Sequence, residues 1–205
     1  DSGRPIRDTA TRDVERAARI FEFFAGTTDR LRGAVVPVQP NRTNLVEYEP
    51  MGIVGAITPW NYPLTNAAGK IAPALATGNA VILKPAEESP LSALLLAWIA
   101  HKAGLPAGLL NVLNGSGSAI GEAIVRHPDI EKITFTGSTT IGRRIGAITG
   151  DLLKSVTLEL GGKTGFMVFA DADLERAADA LVFSAFNNAG QTCTAGSRLL
   201  VEASI

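Results

Sequence analysis

From Met51 to Leu160, short apolar runs alternate with segments of helical spacing, and that alternation limits the folds open to this chain more than any other feature. Ile53 to Ile57 reads as a buried strand, and Leu64 to Thr77 as a helix ended by Gly78. Ala80 to Leu83 is a second strand. Ser89-Pro90 offers a cap and a first-turn proline for a helix that ends at Gly104. Leu109 to Leu113, Lys132 to Thr136 and Ser155 to Leu160 are further strands, with helices at Ser118 to Arg126 and Ile141 to Thr149 between them. Near-continuously apolar strands separated by helices predict a parallel sheet covered on both faces. That is an α/β, doubly wound, Rossmann-like fold, with ligands at the carboxyl ends of the strands.

The flanks differ in texture. Val14, Ala17, Ala18, Phe21, Phe24 and Ala25 recur at helical spacing, and Gly33 to Glu49 is turn-rich and then extended. After Gly161-Gly162 the alternation resumes with Phe166 to Phe169, a helix from Leu174 to Phe186, the polar segment Asn187 to Ser197, and a strand from Arg198 to Glu202. The expected division is a dinucleotide-binding domain at 1–161 (helix and linker 1–50, core 51–161) and the start of a second α/β domain at 162–205. With no initiator Met and a fresh apolar strand close to Ile205, both ends read as cut.

Composition narrows the function classes. The chain has 205 residues, 46% hydrophobic, with 19 basic against 20 acidic side chains. That balance carries no basic excess for nucleic acid or an anionic membrane, and too many apolar residues for disorder. Leu91 to Ala100 is the strongest apolar run and reaches only half of the roughly 20 residues a membrane helix needs. The single cysteine excludes an internal disulfide and any multi-cysteine metal cage, so no metal site is expected. A lone thiol fits a reducing compartment, most simply the cytoplasm.

Three turns after strands carry phosphate-binding character. Gly137-Ser138-Thr139-Thr140-Ile141-Gly142 has the outer glycine spacing of a Walker A loop, but Arg143 and Arg144 stand where Lys and Ser/Thr are required. Triphosphate hydrolysis is therefore disfavoured, while a diphosphate site on backbone N–H groups and a helix N-terminus remains. Gly115-Ser116-Gly117 with Gly121 is one residue longer than the dinucleotide fingerprint. Lys84-Pro85-Ala86-Glu87 ends a strand with a lysine and an acid able to hold ribose hydroxyls. Each has a plainer reading: an empty βα turn for the first two, a surface ion pair for the third.

Cys193 follows the polar run Asn187-Asn188-Ala189-Gly190-Gln191-Thr192, unlike a packed core. A free cysteine is commonly a small buried hydrophobe, so position alone does not make it a nucleophile. His101 and His127 lie at helix ends in polar surroundings, which leaves a carboxylate as the expected helper. Glu159 closes an apolar strand, where partial burial would raise its pKa toward a general base's range; the alternative is an edge carboxylate paired with Lys163. Asn61, in Thr58-Pro59-Trp60-Asn61-Tyr62-Pro63, offers an amide either to an oxyanion or to its own turn.

The series Pro59-Trp60-Asn61-Tyr62-Pro63, Lys84-Pro85-Ala86-Glu87, Phe135-Thr136-Gly137-Ser138-Thr139, Leu158-Glu159-Leu160-Gly161-Gly162-Lys163 and Gly190-Gln191-Thr192-Cys193 resembles, in order, the signature motifs of the NAD(P)-dependent aldehyde dehydrogenase superfamily. The resemblance implies Cys193 as nucleophile, Glu159 as general base, Asn61 with the Cys193 N–H as oxyanion hole, and Lys70 near the proton path. It implies a cofactor site of Thr58, Pro59 and Trp60, of Lys84 and Glu87 at the adenosine ribose, of Gly117 and Gly121, of Gly137, Ser138, Thr139 and Gly142 at the pyrophosphate, and of Leu160 with Gly161. It also implies a small aldehyde as substrate, a longer parent chain, and a homo-oligomer, dimer or tetramer. Glu87 facing the ribose favours NAD over NADP, whose 2′-phosphate would meet it charge to charge. Gly69 and Thr140 depart from the family's usual residues without removing a catalytic group. Two rival readings are a dinucleotide-binding module without turnover and a cysteine acyl hydrolase, the second weakened by the lack of a histidine base. Taken alone, the 205-residue chain is expected to have little dehydrogenase activity and to aggregate.

Overall fold

The structure, a computed structural model, describes residues 1–205. A single turn α1 (Ile6–Asp8) passes through a wider turn at Thr9–Asp13 into α2 (Val14–Ala25). Where the sequence suggested only an extended linker, β1 (Ala34–Gln39) and β2 (Arg42–Val46) form an antiparallel hairpin. Every residue of both strands is exposed, so the ladder rests on backbone hydrogen bonds and leaves no one-sided burial to read in advance.

The centre is a wholly parallel sheet of β3 (Ile53–Ile57), β4 (Ala80–Lys84), β5 (Leu110–Val112), β6 (Lys132–Thr136) and β7 (Ser155–Glu159), in the order β5-β4-β3-β6-β7. The connecting helices are α3 (Pro63–Ala76), α4 (Leu91–Lys102), α5 (Glu122–Arg126) and α6 (Thr139–Asp151). Right-handed crossovers place helices on opposite faces when the strand order reverses. Accordingly Val54, Ala56, Val81 and Leu83 pack with Ala67, Ile71 and Ala74 of α3 and Ala93 of α4. Ile133 and Phe135 pack on the other face with Ile124 and Val125 of α5 and Ile145 of α6. Helix α2 lies along α3 and adds Phe21 to the first core.

Two local expectations change. Ser89 does not cap α4, which starts at Leu91; it is buried and its hydroxyl donates to the Trp60 carbonyl at 3.3 Å. Nor is the sheet apolar on both faces throughout. Lys132-Ile133-Thr134-Phe135-Thr136 and Ser155-Val156-Thr157-Leu158-Glu159 alternate with period two, so their polar members share the face of Val54 and Ala56. There Lys132 donates to the hydroxyls of Ser155 (3.2 Å) and Thr157 (2.7 Å). Beyond β7, β8 (Gly165–Val168) and β9 (Arg198–Val201) pair in parallel as a separate two-stranded sheet around α7 (Leu174–Phe186). No helix is long and apolar enough to cross a membrane.

Gly55 shows how tightly α5 is seated: a Cβ there would meet Ile124 Cγ2 at 2.6 Å and Ile133 Cδ1 at 2.9 Å. Gly55→Ala is expected to destabilise the fold by about 1–3 kcal/mol through overpacking. Urea unfolding measures this, and an unchanged midpoint would contradict it.

Candidate functional site

The strand order reverses at β3 and β6, and their following loops part there to open a crevice. A cleft of about 630 Å³ occupies it. Pro59, Trp60, Asn61 and Tyr62 line it from the end of β3, Thr136, Gly137 and Ser138 from β6, Leu160 and Gly161 from β7, and Gln191 to Thr194 from the far segment. Cys193, the one thiol, is exposed in this cleft.

Polar bonds hold the cysteine loop against the β3 turn. Asn61 Nδ2 donates to the Gln191 carbonyl at 2.9 Å, while its Oδ1 accepts from the Tyr62 N–H at 3.1 Å. One side of the amide thus caps its turn, as one of the two suggested uses had it, while the –NH₂ ties the cysteine loop and keeps a second N–H. The hydroxyls of Tyr62 and Thr192 lie 2.8 Å apart, and Asn188 Nδ2 reaches the carbonyls of Asn61 and Gln191. Asn188, Ala189 and Gly190 are all left-handed, with φ of +54°, +56° and +74°. For Ala189 that conformation costs about 1–2 kcal/mol, so the loop keeps its shape through these long-range bonds. The Cys193 N–H has no protein acceptor.

Glu159 stands at the end of β7, exposed, and forms no ion pair with Lys163; the expected partial burial is absent because the polar face of β6 and β7 is open. Its carbonyl accepts from the Gly137 N–H at 3.0 Å, tying the end of β7 to the turn after β6. Lys70, on α3, reaches that same polar face and donates to Thr134 Oγ1 at 2.9 Å. Burial pulls its pKa down to about 8, opposed by the charge of Glu159 and assisted by Lys132.

A second cavity of about 230 Å³ lies between α5 and α6, lined by Ile57, Lys84, Gly117, Gly121, Val125, Phe135 and Ile145 among others. Lys84 is buried and donates to the Pro85 carbonyl at 2.9 Å, and burial holds its pKa below the usual lysine value. Glu87 accepts the Gly117 N–H at 3.0 Å, which joins two of the suggested ribose and loop residues. Ser138 caps α6 by accepting from Ile141 N at 3.3 Å. Leu160 is packed on Gly142, where a Cβ would meet its Cδ2 at 2.3 Å. Arg144 pairs with Glu122 of α5 at 2.6 Å. Of the suggested residues, Thr58, Lys70, Glu87, Thr139, Gly142 and Glu159 line neither cavity; Thr58 is buried at the end of β3 with its hydroxyl unpartnered.

The sequence reading did not single out Arg4, Arg12, Asp13 and Arg16, which line the cleft from the N-terminal segment. Their only signal was the helical spacing of Ala17 and Phe21, which places α2 on a partner without saying which one. Nor did it single out Tyr62 or Asn188 as ties, because both bonds join residues more than 120 positions apart.

The fold and motifs have counterparts among known proteins. The family model described as "Aldehyde dehydrogenase family" matches residues 1–205. Retinaldehyde dehydrogenase 3 of Mus musculus is 46% identical over 203 residues, covering 98% of this chain and 40% of the mouse protein. NADP/NAD-dependent aldehyde dehydrogenase PuuC of Escherichia coli (strain K12) is 47% identical over 207 residues, covering 100% of this chain and 42% of that one. Among solved structures, PnpE in complex with nicotinamide adenine dinucleotide superposes with a TM-score of 0.96 at 44% identity, covering 99% of this chain and 42% of PnpE. The chain therefore spans about two-fifths of the length of these relatives.

Lys70 supplies a test of the local electrostatics. Its folded pKa of about 8 lies below the ordinary 10.5, so the folded state binds fewer protons in that window and stability rises with pH across it. Below pH 8 the full penalty of the buried charge is present. Lys70→Met should therefore stabilise most below pH 8, with the gain shrinking toward 10.5. A gain that does not vary with pH in denaturation series would contradict the account.

Proposed function

The chain belongs to the aldehyde dehydrogenase family, and we propose that it supplies the cofactor-binding part and the nucleophile of an enzyme that oxidises an aldehyde to a carboxylic acid with NAD. The observation that carries this reading is the bond from Asn61 Nδ2 to Gln191, which sets an amide beside the loop of an exposed thiol at the sheet's switch point. The reading divides the chain into a cofactor domain at 1–161 and the start of a catalytic domain at 162–205. A homo-oligomer, dimer or tetramer, and a cytoplasmic setting for the exposed thiol belong to it as well.

The residues fit a dinucleotide. The second cavity is an apolar slot between α5 and α6 with Lys84 at its edge, and Glu87 is held to Gly117 beside it. A diphosphate would take the turn from Gly137 to Gly142 and the first N–H groups of α6, which Ser138 caps. NAD, when bound, supplies the hydride acceptor for the reaction. Cys193 adds as thiolate to the aldehyde carbonyl. The oxyanion so formed accepts from the second N–H of Asn61 and from the Cys193 N–H, neither of which has another protein acceptor. Once the acyl group is a thioester on Cys193, Glu159, solvated on the open face, takes the proton of the attacking water. In this reading Lys70, bonded to Thr134 on that face, takes the proton onward; its bond to Thr134 and its lowered pKa support the role.

In the full-length enzyme, Cys193→Ser should leave no acyl-protein, and Glu159→Gln should accumulate acyl on Cys193 with kcat lowered about 10²–10⁴-fold, the range for general-base loss. Mass spectrometry after mixing with aldehyde and NAD reads both. Dinucleotide binding with no acyl-Cys193 in the unsubstituted enzyme would overturn the reading in favour of a binding module. Glu87 also sets cofactor choice: its carboxylate accepts from ribose hydroxyls and repels a 2′-phosphate. Glu87→Ser is expected to shift the NADP-to-NAD ratio of kcat/KM toward NADP by about tenfold, one charge–charge contact's worth. An unchanged ratio counts against the assignment.

A further inference from the structure

We propose that the cleft around Cys193 selects aldehydes that also carry a carboxylate, with Arg12 and Arg16 as its counter-charges. The inference rests on the reading of Cys193 as nucleophile. Four charged residues line the cleft: Arg4, Arg12, Asp13 and Arg16. Arg4 is already committed. Its guanidinium pairs with Asp13, its side chain is 4% exposed, and it stacks 4.3 Å from the centroid of the Tyr62 ring.

Arg12 and Arg16 have no such commitment. Neither forms an ion pair or donates a side-chain hydrogen bond. Of the two acids between them, Asp13 is taken by Arg4 and Glu15 by Arg19 one turn on. Arg12 lies 5.6 Å over the Phe183 ring, which orients its guanidinium without neutralising it. The cleft that holds the thiol therefore carries two uncompensated positive charges on one wall. Planar guanidinium forks match a carboxylate in bidentate geometry and attract it from a distance.

The rest of the lining mixes polar groups with Trp60, Leu160 and Phe183, so a short hydrocarbon body has apolar surface to lie on while the two guanidinium groups remain for an anionic end. Thr65 adds a buried hydroxyl without a partner in the same cleft. An aldehyde ending in a carboxylate meets these guanidinium groups with an opposite charge; a neutral one of the same length does not.

Two alkylators of similar size test the charge directly in the full-length enzyme, with modification mapped to Cys193 by peptide mass. Iodoacetate is anionic and iodoacetamide neutral. The ratio of their rates at Cys193 should fall about three- to tenfold in Arg12→Gln and Arg16→Gln, fall with added salt, and stay constant in Arg19→Gln. Turnover should follow: the preference for succinate semialdehyde over butanal, compared as kcat/KM, should fall in the same two variants with NAD affinity unchanged. An alkylation ratio that ignores both substitutions overturns the proposal, as does weakened NAD binding, which would assign the arginines to the cofactor. If no aldehyde leaves an acyl group on Cys193 but the alkylation ratio falls as expected, the nucleophile reading fails and the anion selectivity of the cleft stands.

Discussion

The handedness of parallel crossovers governs this molecule. Because each strand–helix–strand unit closes in one hand only, reversing the strand order at β3 sends α3 and α4 to one face and α5 and α6 to the other. The loops after β3 and β6 must then diverge, and a crevice opens at their carboxyl ends without any residue being designed to make it. Asn61 and Gly137 stand on its two lips. What chemistry the crevice supports depends on which side chains those loops carry and on what the rest of the chain brings to it.

The thiol arrives by a different kind of force. The segment from Asn187 to Cys193 buries little and runs through three left-handed residues in succession, so apolar packing does not shape it. Hydrogen bonds from Asn61, Tyr62 and Asn188 do, each joining the turn after β3 to the far segment. Such bonds are directional where hydrophobic contact is not, and they offset the backbone cost at Ala189. Asn61 both ties the cysteine loop to the β3 turn and keeps a second amide N–H that the tie does not use.

Charge follows the same division between structure and chemistry. Arg144 and Arg126 converge on Glu122 and hold its carboxyl below the usual range, while Lys70 is buried enough to lie near neutrality in its titration. The open polar face of β6 and β7 leaves Glu159 exposed at the end of β7. Arg12 and Arg16 are left without partners on the cleft wall, an arrangement that invites an anion rather than stabilising the fold.

Much of this was legible in the residues themselves. Strand and helix periods predicted the parallel sheet because each element's apolar pattern reports its own burial, and Lys132–Thr136 and Leu174–Phe186 occur with the bounds read from sequence. Turn motifs marked Asn61, Glu87, Gly137, Glu159 and Cys193 because their residue types are costly or strained without a use. Ser89 misled because a serine before a proline satisfies the local rule for a cap, while its hydroxyl is taken by Trp60 29 positions away. The hairpin at 34–46 and the open face of β6 and β7 escaped because burial, not period, decides them. What the sequence alone determined was local: which segments extend, which coil, and which carry reactive groups. Only the tertiary structure decided what each reactive group faces, since α2 reaches the cleft and the cysteine loop reaches β3 through contacts whose partners lie far along the chain.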